Sequence, residues 1–311
     1  MKTLVIINPT AGGGRAGRQW LQHAPALQNA IGAFDTAFTS LATGAIALAG
    51  DAATQGYERV IAIGGDGTVN EVVNGLARAS GDRPVVPLLG VIGMGTGNDF
   101  ARANGIKGGW KAGIVALREG APRVVDLGLV HFTGADGAKA SRWFANCADL
   151  GLIGEVVADA QDSKLRRMLG SKLAYPLHAV LVLRRYKGHR IKYEAEDGTS
   201  HEREILAVAV ANGRTFGGGM KIAPAAKLDD GLLDVIVIAK EPRVRATDLR
   251  LLYAGTHLNL PAITHFQTRR VRFETVDGST MLCDADGELL GKAPCEIEVV
   301  KGKIKVVGVS G

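Results

Sequence analysis

Cysteine is scarce in this chain, with three in 311 residues, at Cys147, Cys283 and Cys295. So small and odd a number excludes a disulfide framework and predicts three small buried hydrophobes. Aromatic residues make up only 5% of the sequence. That is too few to interleave with basic residues in the stacking surfaces that bind single-stranded nucleic acid, so no nucleic-acid partner is expected. The seven histidines are scattered without metal-ligand spacing and are read as structural. No apolar run approaches the roughly 18 residues of a membrane span. The opening MKTLVIINP reads as a strand running into a loop rather than a signal peptide. A soluble, cytoplasmic protein is expected. Internal repeats and low-complexity segments are absent as well.

What is abundant is apolar residues, at 46%, and glycine, at 42 residues. A chain of this length can bury two cores and is expected to form about two domains. The most informative glycines lie in IAIGGDGTVNEVVNG (61–75). An apolar strand, Val60 to Ile63, enters Gly64-Gly65-Asp66-Gly67-Thr68 and then a helix with apolar positions at Val69, Val72, Val73 and Leu76. Such a turn lets backbone N–H groups approach an anion closely, with a helix N-terminus behind them. Asp66 would repel a bare phosphate, so its presence points to a cation, most simply Mg²⁺ carried by a nucleotide. A tight strand-to-helix turn in which Asp66 caps its own helix would give the same residues.

A second turn repeats the pattern. Leu88 to Ile92 is an apolar strand, followed by Gly93-Met94-Gly95-Thr96-Gly97-Asn98-Asp99 and a helix start. Parallel strands of an open α/β sheet bring such turns side by side at their carboxyl ends, where ligands bind. Coincidence explains one glycine loop with an aspartate more easily than two.

GGDGTVNEVVNGL and MGTGNDFAR resemble the signatures of the diacylglycerol kinase catalytic-domain family, which includes bacterial soluble lipid kinases and the sphingosine and ceramide kinases. Further matches follow in order: IINPTAGGG (6–14), VVDLGLV (124–130), FANCADLGLIGEV (144–156), ANGRTFGGGMKIAPAAKLDDGLLDVIVI (211–238) and DADGELL (284–290). NAD kinases share the GGDGT signature, but the later blocks are closer to the lipid kinases. The resemblance implies ATP and Mg²⁺ as cofactors and a lipid hydroxyl as acceptor. It implies nucleotide contacts from Asn8 and Thr39, and phosphate contacts, chiefly through backbone donors, from Gly64, Gly65, Gly67, Thr68, Gly95, Thr96, Gly97 and Asn98. Asp66 and Asp99 would act through Mg²⁺, joined by Asp126. Asp230, with backbone oxygens of Lys227 and Leu232, would hold a second, structural Mg²⁺. Asp286, in Asp284-Ala285-Asp286-Gly287-Glu288, would be the general base, with Glu288 bracing it or binding metal. Thr39 and Asp126 also fit plain strand-end positions, Asp229-Asp230-Gly231 a plain turn, and Asp286-Gly287 a hairpin turn.

Organisation changes near residue 127. Before it, strands near 3–7, 34–39, 59–63 and 86–92 alternate with helices near 14–30, 43–55, 68–79 and 110–118, as in a parallel α/β sheet. After it, strands are expected at 127–132, 141–148, 189–196, 204–211, 233–239, 270–275, 281–284 and 297–300, with helices near 164–185 and 246–254. The expected architecture is an NAD-kinase-like α/β domain (1–127, with a tail of about 301–311) and a β-rich sandwich or barrel (128–300). The active site is expected in the cleft between them.

The net charge of +6 allows attraction to anionic surfaces. Basic clusters stand at Arg166, Arg167 and Lys172, at Arg184, Arg185, Lys187, Arg190 and Lys192, and at Arg269, Arg270 and Arg272. Singly each reads as solvated surface; together, beside a lipid site, they would bring the enzyme to anionic headgroups on the inner face of a membrane. A homodimer is compatible with the sequence. Two rival readings stand beside the lipid kinase. Gly12, Gly14 and Gly17 fit G-x-G-x-x-G, with Asp35 near the ribose position, as in an NAD(P)-dependent oxidoreductase. Asn8-Pro9, however, separates the strand from those glycines. The other rival is a lipid-binding protein without catalysis, which intact acidic motif positions disfavour.

Overall fold

Short apolar runs rich in Val and Ile form strands buried along nearly their whole length, as central strands of a covered parallel sheet must be. In the computed structural model these are β1 (Thr3–Ile7), β3 (Arg59–Gly64) and β4 (Leu88–Gly93), with the more exposed β2 (Asp35–Phe38) at an edge. The structure describes all residues except 41–43, 135, 162–177, 179–180, 184, 241–248 and 310–311. The chain forms two compact units, Met1–Leu127 with Lys301–Gly311, and Gly128–Val300.

In the first unit, β2, β1, β3 and β4 pair in that order, all parallel. Helices α1 (Ala11–Ile31), α2 (Gly44–Thr54), α3 (Asp66–Ser80), α4 (Asp99–Ala103) and α5 (Trp110–Glu119) connect or follow them. One face carries Val5, Ile7, Ile61, Ile63 and Ile92 against Trp20, Leu27, Trp110 and Leu117. Each such side chain contributes about 1.5–3 kcal/mol through burial. The C-terminal segment adds a further parallel partner, with Val306 opposite Leu89. Lys303 fastens it: its buried ammonium donates to the Gly81 and Arg83 carbonyls just past the C-terminus of α3. A cation at a helix C-terminus also meets the negative end of the dipole.

The second unit is β-rich, as its alternating sequence predicts. It comprises the later parts of β5 (Ala121–Thr133), then β6 (Lys139–Phe144), β7 (Cys147–Gly151), β8 (His189–Ala195), β9 (Ser200–Ala211) and β10 (Leu233–Ala239). There follow β11 (Ile263–Thr268), β12 (Arg270–Thr275), β13 (Leu282–Ala285) and most of β14 (Glu288–Gly308). Strands β11, β10, β9, β7, β13 and β14 run side by side, antiparallel at each step. Strand β8 joins β9 to β12. Period-2 alternation divides the apolar residues of β7 and its neighbours between two cores. Ala148, Leu150, Val208, Val210, Cys283 and Ala285 enter one; Cys147, Ala209, Ala211 and Ile236 enter the other. All three cysteines are free and buried.

Several elements differ from expectation. The single strand expected at 141–148 is broken at Ala145-Asn146, because the backbone N–H groups there turn toward a carboxylate from another hairpin. Helix α6 (Leu152–Gln161) and strand β11 have no counterpart in the sequence reading, while the helix start expected at Asp99 is the short α4. The strand expected at 297–300 and most of the tail expected from about 301 form one continuous strand, β14. The helix expected at 246–254 is seen as α7 (Leu249–Ala254), its first residues lying outside the described ones. Most of the helix expected at 164–185 also lies outside them, with Arg166, Arg167, Lys172 and Arg184.

Candidate active site

The loops after β3 and β4 are in backbone contact. A Cβ added to Gly95 would stand 2.8 Å from the Gly65 Cα, closer than real side-chain carbons come. The Met94 N–H donates to the Gly64 carbonyl at 2.6 Å. Glycine is needed here because two loops share the space, which supplies a packing reason for residues read from sequence as a phosphate cradle.

Asp66 does not cap its own helix: the cap of α3 is Gly65, with no side-chain bond. Its carboxylate instead accepts the backbone N–H groups of Asn98 and Asp99, each at 2.7 Å. It thus caps the start of α4 and ties the two loops together. Asn98, in the left-handed region at φ 52°, closes its own turn: its side-chain oxygen accepts the Gly95 N–H and its amide donates to the Gly95 carbonyl. A Cβ on Gly97 would lie 2.4 Å from Asp66 Oδ2 and 3.2 Å from Asp99 Oδ2, so both carboxylates border that glycine. Asp99 is buried and paired with Arg102 at 2.8 Å.

The loop after β1 joins them. The Asn8 side-chain amide donates to the Thr68 hydroxyl at 3.0 Å, and the Asn8 side-chain oxygen accepts from Thr10. Gly12, Gly13 and Gly14 follow in succession with φ of 62°, 69° and 81°, and Gly12 lies against the Met94 carbonyl. Arg15 and Arg18 donate to the Gly12 and Gly13 carbonyls and brace this turn. The first-turn N–H groups of α3, at Asp66, Gly67 and Thr68, have no partner within the helix and carry the positive end of its dipole. Thr39 closes β2 through its N–H to the Ile7 carbonyl. Asp126 is buried and accepts the Gly302 N–H at 2.6 Å, a bond that secures the C-terminal segment.

In the second unit, Asp286 and Gly287 form a two-residue hairpin turn between β13 and β14, both with positive φ (50° and 81°). This is the geometry for which Asp-Gly is favoured. The side chain of Asp286 then does more than turn the chain. Oδ1 accepts the N–H groups of Asn146 and Cys147, and Oδ2 that of Ala145, at 2.9, 3.1 and 2.8 Å. Three of the roughly four acceptor positions of a carboxylate therefore hold the 145–147 loop. Glu288 is paired with Arg142 on β6; burial raises its pKa, and Arg142 opposes that shift. Asp230 accepts the Leu232 N–H at 3.1 Å, making an Asx turn that ends at β10. Among the described residues no group of three or more His, Cys, Asp or Glu side chains is placed to hold a metal; Lys227 and Leu232 could contribute only carbonyl oxygens.

The sequence reading missed Arg15, Arg18, Arg102 and Arg142, and two buried aspartates, Asp149 and Asp284. The spacing of Arg15 and Arg18 after the glycines, and the Asp284-x-Asp286 repeat, were the available signals. Nothing in the sequence pairs Asp149 with Asp284, because strand partnership is not written locally.

Most described members of the basic clusters are matched with acidic neighbours. Arg190 meets Glu202, Lys192 and Arg272 meet Glu274, Arg269 meets Glu196, Arg270 meets Glu296, and Arg185 meets Asp159. The strand face is a mixed-charge ladder rather than a bare positive patch. No helix among the described residues is long and apolar enough to cross a membrane.

Comparison with known proteins gives a consistent outcome. Residues 2–130 match the diacylglycerol kinase catalytic domain, and residues 150–308 match the YegS C-terminal NAD kinase beta sandwich-like domain. The chain is 34% identical to a diacylglycerol kinase of Bacillus subtilis (strain 168), over 97% of this chain and 95% of that one. It is 33% identical to a probable lipid kinase YegS-like protein of Stenotrophomonas maltophilia, over 82% and 80%. A solved structure from Bacillus anthracis str. Sterne, reported as a candidate diacylglycerol kinase, superposes with a TM-score of 0.77 at 26% identity, covering 99% of this chain and 97% of that one.

Proposed function

The chain belongs to the diacylglycerol kinase catalytic-domain family of lipid kinases, and from that premise we propose that it transfers the γ-phosphoryl group of ATP to the hydroxyl of a diacylglycerol-like lipid. The observation that carries this reading is the joining of the two glycine loops by Asp66, which sets two carboxylates and a helix N-terminus beside one another. A bare phosphate would be repelled by Asp66 and Asp99; a phosphate accompanied by Mg²⁺ would not. All-oxygen donors of this kind suit a hard cation, and the N–H groups of the first turn of α3, at the positive end of its dipole, suit phosphate oxygens. Bound there, Mg²⁺ would neutralise charge building on the phosphoryl oxygens.

The chain's own groups do the rest. Gly65, Gly67, Thr68, Gly95, Thr96, Gly97 and Asn98 would hold the phosphates, Asn8 fixing the Thr68 hydroxyl beside them. Thr39 would lie toward the nucleotide. Asp286, immobilised by three amides, would receive the hydroxyl proton. A carboxylate so held is a weak base, but proton loss need only accompany formation of the P–O bond, so fixed position counts for more than basicity. Glu288 would brace it through Arg142. Asp230 would hold a second Mg²⁺, and the lipid would be met at the cytoplasmic face of a membrane.

The test is incubation with γ-labelled ATP, Mg²⁺ and lipid micelles containing diacylglycerol, phosphatidylglycerol, ceramide or a sphingoid base in separate reactions. Labelled phospholipid is expected in at least one. A protein stabilised thermally by NADH but not by Mg-ATP would be an oxidoreductase. One that binds the lipids without transferring label would be a lipid-binding protein.

A further inference from the structure

Asp149 on β7 and Asp284 on β13 stand directly opposite each other in the antiparallel register. Opposed residues share a face, with Cβ atoms about 4.5–5.5 Å apart. That face, like the opposite one, is apolar: the β9 residue opposite Asp149 is Ala209, in a core cluster with Ala211, Ile222 and Ile236. Both carboxyls are buried, Asp284 completely. Asp284 Oδ1 accepts the Gly287 N–H at 3.3 Å, inside the turn that carries Asp286, while Oδ2 has no partner among the described residues. Among the described residues Asp149 Oδ1 accepts the Cys147 thiol, at 3.3 Å.

Two adjacent carboxylates without a cation cannot both stay ionised in such a place. A proton between them removes the repulsion and gives the orphan oxygen a partner. We infer that Asp149 and Asp284 form a buried carboxyl pair that keeps at least one proton at neutral pH and thereby positions the Asp286 turn for catalysis. They are positioning residues, acting through the Gly287 N–H and the carboxylate of Asp286. This role rests on the kinase reading; the shared proton does not.

The surrounding titratable groups leave this intact. On β7 the Cys147 thiol is pushed up by burial and by Asp149, so it remains a neutral donor. Cys283, beside Cys295, is also held protonated. On β14 the residue opposite Asp284 is Leu289. Helix α6, packed on both strands, carries Glu155 and Asp159, the latter paired with His178 and Arg185. Burial raises Asp149 to about 7, with Asp286 adding to the shift. Burial and then Asp149 raise Asp284 further. A carboxyl raised in the folded state favours folding below its unfolded value and loses that contribution as pH climbs through the folded one. The loss therefore starts at the ordinary carboxyl range, runs up to about pH 7 for Asp149 and extends further upward with Asp284.

The experiment compares the full chain with Asp149→Asn, Asp284→Asn and Asp284→Ala. Thermal midpoints are recorded from pH 5.5 to 8.5. Wild type should lose stability as pH rises past 7, and the Asn variants, neutral at every pH, should lose less. Asn variants that retain the wild-type pH dependence, or fall below wild type at pH 8, overturn the shared proton. Lipid phosphorylation is then followed against pH. Asn at either position should keep kcat at pH 6.5 and hold it to higher pH, while Asp284→Ala should cut kcat by about 10²-fold, the scale of a misplaced group, at unchanged KM for ATP. Equal pH profiles in wild type and Asn variants, or full kcat in Asp284→Ala, overturn the positioning role. Absence of turnover in wild type would sink the kinase reading and the positioning role with it, and the melting curves would still decide the proton.

Discussion

Asp66 in the first unit and Asp286 in the second do the same mechanical work. Each carboxylate leaves its own turn to take consecutive backbone N–H groups of another loop: Asn98 and Asp99 for one, Ala145 to Cys147 for the other. Their surroundings differ. Asp66 lies among glycines, half-exposed, at the positive end of α3 and beside Asp99, which has Arg102. Asp286 is half-buried as well, but its neighbours are Asp149 and Asp284, two buried carboxyls. The first setting suits a group that must meet a charged ligand; the second suits one whose charge and place are fixed by the protein. A carboxylate's hydrogen-bond pattern alone therefore does not tell its role, and what lies behind it does.

The comparison is broken most severely by Asp66→Ala. Turnover should vanish and Mg-ATP should bind more weakly. The structure adds a cost the sequence did not show: two amides at the start of α4 lose their acceptor, at about 1–3 kcal/mol of stability. Calorimetric ATP titration alongside a denaturant melt measures both, and wild-type turnover would remove the loop from the active site. Asp286→Asn comes next. It should lower turnover by about 10²-fold, with ATP affinity nearly unchanged. It is not a silent change of shape, since one oxygen becomes a donor facing a donor, so the melting midpoint should fall as well. Asp286→Asn with normal kcat leaves Asp286 as a loop anchor only.

A sharper test separates packing from ligand approach. Gly97→Ala puts a methyl group 2.4 Å from Asp66 Oδ2 and should cost about 1–3 kcal/mol as an overpacked site, with loss of ATP binding. Gly67→Ala meets nothing within 4 Å. Its fold should be as stable as wild type or slightly more so, because Ala suits a helix better than Gly by about 0.5–1 kcal/mol. Any loss of ATP affinity there would report the nucleotide itself. Equal stability losses in the two variants would contradict the loop contact. The smallest effect concerns the charged surface. Activity on vesicles should rise with anionic lipid and fall with salt, but modestly, because most described members of the basic clusters already have acidic partners and exposed pairs contribute only about 0–1 kcal/mol. A dependence of several tenfold steps on salt would assign the attraction to other parts of the chain.

Much of the fold was legible because its signals are local. Apolar runs of a few residues gave β1, β3 and β4, and the change from alternation of strand and helix to strand after strand marked the second unit. The same locality explains the errors. The strand expected at 141–148 looks continuous in sequence, and only a carboxylate some 140 residues away breaks it. Helix α6 escaped because Leu152 onward is apolar on both strand and helical spacing.

By itself the sequence determined the motif order, the turn chemistry at Asp286-Gly287 and the family. Each depends on residues within about ten positions of one another, or on a direct match to known chains. Tertiary structure alone decided which groups those residues serve: that Asp66 caps α4, that Gly65 and Gly95 are glycines for each other's sake, and that Asp149 faces Asp284. Hydrogen-bond partners and burial are set by strand register and loop contact across long separations, and it is partners and burial, more than residue type, that fix the charge a carboxyl carries.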